Sequence, residues 1–158
     1  MGSTMGAFLK SIILGFIAGA IATVTIHELI NLAILHYWTD FPRQPWAMDP
    51  VSVTVGQTTL AEVPRFARDA FWGGIWGIIF ALILGSVPKG SMTLKGLILG
   101  LLGPGVFGAL IIVPAITGGE PFLGGNQNVI AGTLLMAAGF GAVAAWLYGF
   151  FTAGCRLP

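Results

Sequence analysis

The run Gly15–Trp38, GFIAGAIATVTIHELINLAILHYW, decides how this chain is read. It is long and apolar enough to cross a bilayer, which takes about 20 residues. It also carries His27 and Glu28 side by side, and Glu28 is the only acid inside any such stretch. Placing a carboxylate in hydrocarbon costs roughly 2.5–3.5 kcal/mol on insertion scales. A chain keeps one there when it faces a partner, a cavity or a proton path.

Composition sets the compartment. Of 158 residues, 8% are charged and 56% hydrophobic, and the mean hydropathy is +0.90. A soluble domain carries about 25% charged residues. A chain this apolar belongs among membrane lipids. The net charge of +1 provides no electrostatic footprint for nucleic acid. The lone Cys155 excludes an internal disulfide, a paired-thiol redox reaction and a cysteine zinc site. It does not stand where a prenylation box needs it. Lys10 followed by an apolar run and Ala20-Ile-Ala22 has the outline of a signal peptide. The apolar run continues past Ala22, so the expectation is an uncleaved first membrane helix.

Four segments read as spans: 7–35, 70–87, 94–116 and 129–152. The expected fold is an all-α membrane protein, a single domain (1–158) of four transmembrane helices with a structured outer loop over 36–69. Pro104, inside Gly103-Pro104-Gly105, should kink or locally unwind the third span. The first and third loops carry Arg43, Arg65 and Arg68. The N-terminus, second loop and C-terminus carry Lys10, Lys89, Lys95 and Arg156. By the positive-inside rule both termini are cytoplasmic. In the first loop, Val51–Val55 alternates like a strand. Thr59-Leu60-Ala61-Glu62 fits a capping box that would start a helix over Leu60–Asp69. The aromatic opening of this loop, Tyr37, Trp38 and Trp46, suits a membrane interface. The glycine-rich third loop reads as a flexible turn.

Small residues recur every fourth position in each span. Gly15 and Gly19 mark the first, Gly73, Gly77 and Gly85 the second, Gly96 and Gly100 the third, Gly141 and Gly149 the fourth. Helices in lipid associate through close backbone approach rather than through burial of apolar surface. The rows therefore predict a bundle packed on small residues, with some rows free to serve a homo-oligomer or larger membrane complex. No internal repeat is legible: Trp76–Pro88 and Pro104–Pro114 share only a degenerate pattern ending in Val-Pro.

Thr23, His27 and Asn31 lie four apart on one helix face, with Glu28 and Asn31 three apart. Three readings are open. The cluster ties the first helix to its neighbours by hydrogen bonds. Alternatively, Glu28 and His27 handle protons or cations in a small transporter or channel, since burial and imidazole chemistry put titration near neutrality. Metal or haem is the third. His27-Glu28-Leu29-Ile30-Asn31 approaches the zinc protease motif but has Asn31 where the second histidine belongs. His36 lies on the opposite face, roughly 13 Å along the helix. No cofactor and no catalytic group is expected, so the favoured role is non-enzymatic: a small structural or accessory membrane protein. Glu28 lies roughly 26 Å along the helix from Lys10, near the outer interface. If it is structural, its nearly isosteric Gln substitute should keep most of its hydrogen bonds.

The order of elements resembles the YagU-like group of uncharacterised bacterial inner-membrane proteins. The likeness rests on Gly15-Phe-Ile-Ala-Gly19, Phe41-Pro-Arg-Gln-Pro45, Lys95-Gly-Leu-Ile-Leu-Gly100 and Val113-Pro-Ala-Ile-Thr-Gly-Gly-Glu-Pro121. It implies a bacterial inner-membrane location and a link to acid tolerance, and brings no catalytic residues.

Overall fold

The computed structural model describes residues 2–55, 58–84 and 90–154. The chain is mostly helical, and four of its helices are long and apolar enough to cross a membrane: Met5–Tyr37, Arg65–Leu84, Met92–Ile116 and Gln127–Ala153. The expected end of the second span at 85–87, with Gly85, Lys89, Cys155 and Arg156, lies outside the described residues.

The first long helix consists of α1 (Gly2–Ala22), a π-helical segment (Thr23–His27) and α2 (Glu28–Tyr37). An antiparallel hairpin of β1 (Pro50–Val55) and β2 (Thr58–Pro64) follows. α3 (Arg65–Leu84) forms the second long helix. The third is α4 (Met92–Gly100), a π-helical segment (Leu101–Ile112) and α5 (Val113–Thr117). A 3-10 turn (Pro121–Gly125) leads into α6 (Gln127–Gly154).

One local expectation is overturned. The capping-box residues Thr59–Glu62 lie in β2, where Ala61 and Glu62 pair with Val53 and Ser52. Strand pairing satisfies their backbone groups, and the helix begins only after Pro64. Its first free N–H groups are met by loop carbonyls: Arg65 N–H donates to Asp49 O and Phe66 N–H to Ala47 O, both at 3.0 Å. No side-chain cap is needed for those two donors. Pro104 does not break its helix, and the span unwinds locally around it, as expected, into the π-helical Leu101–Ile112. Its missing N–H is absorbed in wider turns, and Val113 N–H reaches back five residues to Gly108 O. The third loop is a turn, as expected, with Phe122 and Leu123 both at φ 53°, a left-handed conformation unusual for bulky residues.

The glycine rows pair the helices in sequence order. A Cβ on Gly15 would lie 2.6 Å from Gly77 O, and one on Gly19 would lie 2.9 Å from Gly77 Cα and clash with Gly73 O. In the second pair, a Cβ on Gly96 would strike Gly141 O and Ala145 Cβ, and one on Gly100 would lie 2.8 Å from Gly141 Cα. Gly149 departs from this pattern and faces the flexible Met92 side chain. The two hairpins repeat one arrangement. Gly15 and Gly19 correspond to Gly96 and Gly100, Gly77 to Gly141, and Ala81 to Ala145. Beyond its second glycine, the first helix of each hairpin passes into a π segment. The repeat escapes sequence reading because only the small contact residues need to recur.

Between the hairpins, Ala22, Phe80, Leu84, Phe140, Ala144 and Ala145 form the main core. Replacing Gly77 or Gly141 with Leu should lower thermal stability in detergent by at least the roughly 1–3 kcal/mol of an overpacked core. Gly6→Leu, with nothing within 4 Å of its Cβ, should leave the melting temperature unchanged. Equal stability of all three variants would disprove the close-packing account.

Candidate functional site

The site forms where the first helix changes its winding. In a regular α-helix the Glu28 N–H would bond Val24 O. Here it bonds Thr25 O, and Val24 O accepts the indole N–H of Trp46 at 2.9 Å. Val24 lies in the π segment, and its carbonyl meets a loop residue 22 positions away.

Glu28 is 3% exposed. Its Oε1 accepts from Arg43 Nη2 at 3.1 Å and lies 3.1 Å from His27 Nδ1. Its Oε2 accepts the backbone N–H of Trp46 at 2.9 Å. An ionised carboxylate only accepts, so with Glu28 ionised the Nδ1 contact is a hydrogen bond only in the tautomer protonated there. Arg43 Nη2 also donates to Asp69 Oδ2 at 2.6 Å, at the start of α3. Arg68 closes the chain of charges through Nε and Nη2 on Asp69 Oδ1, at 3.2 and 3.0 Å.

The segment between Trp38 and Asp49 is thus a strap folded back along the first helix. Phe41 is buried against Ile34 and Met136, and a Cβ on Gly132 of α6 would lie 2.7 Å from its ring. Arg43 and Trp46 hold the middle of the strap to Glu28. Trp46 adopts φ 46°, a conformation costing of order 1–3 kcal/mol that its two hydrogen bonds offset. At the far end, Arg65 Nε donates to Asp49 Oδ2 at 2.9 Å, and this hydrogen bond holds the Asp49 carboxyl below its usual range.

Of the residues singled out from sequence, His27 and Glu28 come together. Asn31 is fully buried, but neither of its amide atoms has a hydrogen-bond partner among the described residues. Thr23 stays apart from Glu28, donating to Gly19 O at 3.0 Å and packing on Gly73. His36 stacks edge-on with Tyr37. The residues missed are Arg43, Trp46 and Asp69. One signal pointed to Arg43: a lone buried acid needs a cation, and Arg43 is the first one after the helix. Among the described residues, no group of three or more His, Cys, Asp or Glu could hold a metal ion. Comparison with protein-family models, curated proteins and solved structures finds no match.

This geometry reverses the expectation for Gln at position 28. Arg43 and the Trp46 backbone present donors to the carboxylate, and the protonated tautomer of His27 adds a third. An amide offers one acceptor oxygen and would turn its own N–H groups toward Arg43 or Trp46. Glu28→Gln should therefore destabilise the protein. Glu28→Ala should cost more, about 1–3 kcal/mol, because Trp46 N–H loses its acceptor and Arg43 retains only Asp69. Asn31→Ala breaks no hydrogen bond and should cost less than Glu28→Ala. Thermal unfolding of the three variants in one detergent checks this order, and a wild-type-like Glu28→Gln would refute the all-donor assignment.

Proposed function

We propose that the protein is a small structural or accessory integral membrane protein of the bacterial inner membrane. In this reading it works within a homo-oligomer or larger membrane complex, with both termini cytoplasmic. Four long apolar helices support the membrane part. Lys10 bounds the uncharged stretch of the first helix on one side. At the other end, Glu28, Arg43, Arg68 and Asp69 form a second charged layer. The spacing along the helix from Lys10 to Glu28, roughly 26 Å, fits a hydrocarbon core of about 30 Å. On this placement α2 rises about 14 Å beyond the core. The strap and hairpin then form a cap at headgroup depth. The resemblance to the YagU-like group supplies the bacterial inner membrane.

One observation carries the structural reading. Both oxygens of Glu28 are engaged, by Arg43, His27 and the Trp46 backbone. A carboxyl that relays protons must exchange partners with a path. This one fastens a loop to a helix bundle. The alternative is a proton-linked transporter or channel using Glu28 and His27. It draws on the unpaired Asn31 amide, one helical turn from Glu28.

Purification in mild detergent followed by light scattering separates the two. A defined oligomer or a stoichiometric co-purifying subunit, with no proton flux in liposomes above the empty-vesicle rate, is the expected result. A lone monomer that dissipates an imposed pH gradient would overturn the structural reading in favour of transport.

A further inference from the structure

Asn31 is 0% exposed. Its Nδ2 and Oδ1, and the Nε of Arg43, are buried without a hydrogen-bond partner among the described residues. The strap brings these atoms together. Phe41 packs with Ile34, three residues beyond Asn31. Arg43 Nη2 donates to Glu28 Oε1, three residues before it. The strap therefore crosses α2 at the level of Asn31, and the guanidinium that carries Nε rests one turn below the amide. α6 closes the other side. Its Met136 packs with Ile34 and Phe41, and a Cβ on its Gly139 would strike Ile30 Cδ1.

We infer that buried water stands between Asn31 and Arg43, one molecule bridging Arg43 Nε–H to the amide oxygen and a second accepting from the amide nitrogen. Buried polar atoms are nearly all bonded, to protein or to ordered water. The unpartnered atoms here include both donors and an acceptor, so their ligand must accept and donate. An ion of either sign does only one. A cation on Asn31 Oδ1 would face the Arg43 guanidinium, and an anion on Nδ2 would face the Glu28 carboxylate. The ion pairs beside them already balance, Glu28 and Asp69 against Arg43 and Arg68. A lipid or a second chain does not reach a side chain with no exposed surface. Water is small, neutral and of both kinds. Bonded also to each other, the two molecules reach the roughly two to four hydrogen bonds typical of buried water. The inference is independent of the membrane reading. It completes the bonding of the guanidinium, with Nη2 on two carboxylates and Nε on water. Asn31→Ala removes no bond between protein groups and leaves room for further water, which keeps its cost below that of Glu28→Ala.

Nuclear magnetic resonance of the detergent-solubilised protein, with nitrogen-labelled asparagine and arginine, tests this. The labelled residues are Asn31, Asn126 and Asn128, with Arg43, Arg65, Arg68 and Arg156, so single substitutions assign each signal. The Asn31 amide and Arg43 Nε–H should both show rotating-frame cross-peaks at the water frequency, with the sign of a direct dipolar contact. Asn31→Leu, with an apolar side chain of similar volume, should expel the water. The Arg43 Nε–H cross-peak should then fall at least fivefold, while the Trp46 indole N–H, held on Val24 O, keeps its resonance. Thr23→Val and His27→Phe, which remove neighbouring exchangeable protons, should leave both cross-peaks. An Asn31 amide with no water cross-peak would overturn the assignment and leave a dry, unpaired group. So would an Arg43 cross-peak unchanged in Asn31→Leu, or loss of the Asn31 cross-peak in Thr23→Val or His27→Phe. Should Asn31→Leu fail to fold, the wild-type spectrum and the other two variants decide.

Discussion

A buried carboxylate needs donors, and the helix around Glu28 offers only the neighbouring His27 ring. Its own backbone N–H groups are consumed by the helix, and the next residue on its side, Asn31, does not reach it. The other donors come from the loop, and this requirement organises the far end of the molecule. Arg43 and the Trp46 backbone can arrive together only if the chain reverses after Trp38 and runs back down the first helix. Val24 O, within the π segment, accepts the Trp46 indole N–H, which ties the path of the loop to this stretch of helix. Asp69 then fixes the start of α3 relative to both. A buried ion pair is weak evidence of net stabilisation, because desolvation offsets much of the attraction. Its clearer effect is on specificity, since few loop paths place two donors on one carboxylate.

The bundle itself obeys a different constraint. Lipid tails are as apolar as leucine, so side-chain burial does little to draw helices together. Contact must come from backbones close enough for dispersion to act, and the glycines at 15, 19, 77, 96, 100 and 141 permit that. The division of labour is clean: small residues close the helix pairs, and one charged cluster fastens the extramembrane chain.

The four long helices were legible in the sequence because length and hydropathy are local properties. The glycine rows were legible for the same reason, although which row meets which was not. The strand at Val51–Val55 follows from alternation. Thr59–Glu62 misled because a capping box is a local signal, and pairing with β1 outweighed it. Glu28 and His27 stood out as polar residues in an apolar run. Their main partners could not be read, because Arg43 and Trp46 are brought in by a loop whose path no periodicity encodes. Asn31 shares a helix side with Glu28, which suggested a shared hydrogen bond. Spacing gives direction but not reach, and the Asn31 amide remains unpaired.

The two equivalent hairpins bear on how the chain is built. Each closes between helices adjacent in sequence, so each can form as soon as its second helix has entered the membrane. Neither waits for the other. The first must also receive a long excursion, residues 38–64, before α3 inserts, and Arg43 gains its second carboxylate, Asp69, only once α3 has arrived. Assembly therefore has a natural order. A plain glycine-locked hairpin is laid down twice, and only the first copy is decorated at its tip. At the positions corresponding to His27, Glu28 and Asn31, the second copy carries Gly108, Ala109 and Ile112. The molecule is thus near-symmetric in its framework and one-sided in its chemistry, so a partner approaching along the membrane meets two different halves.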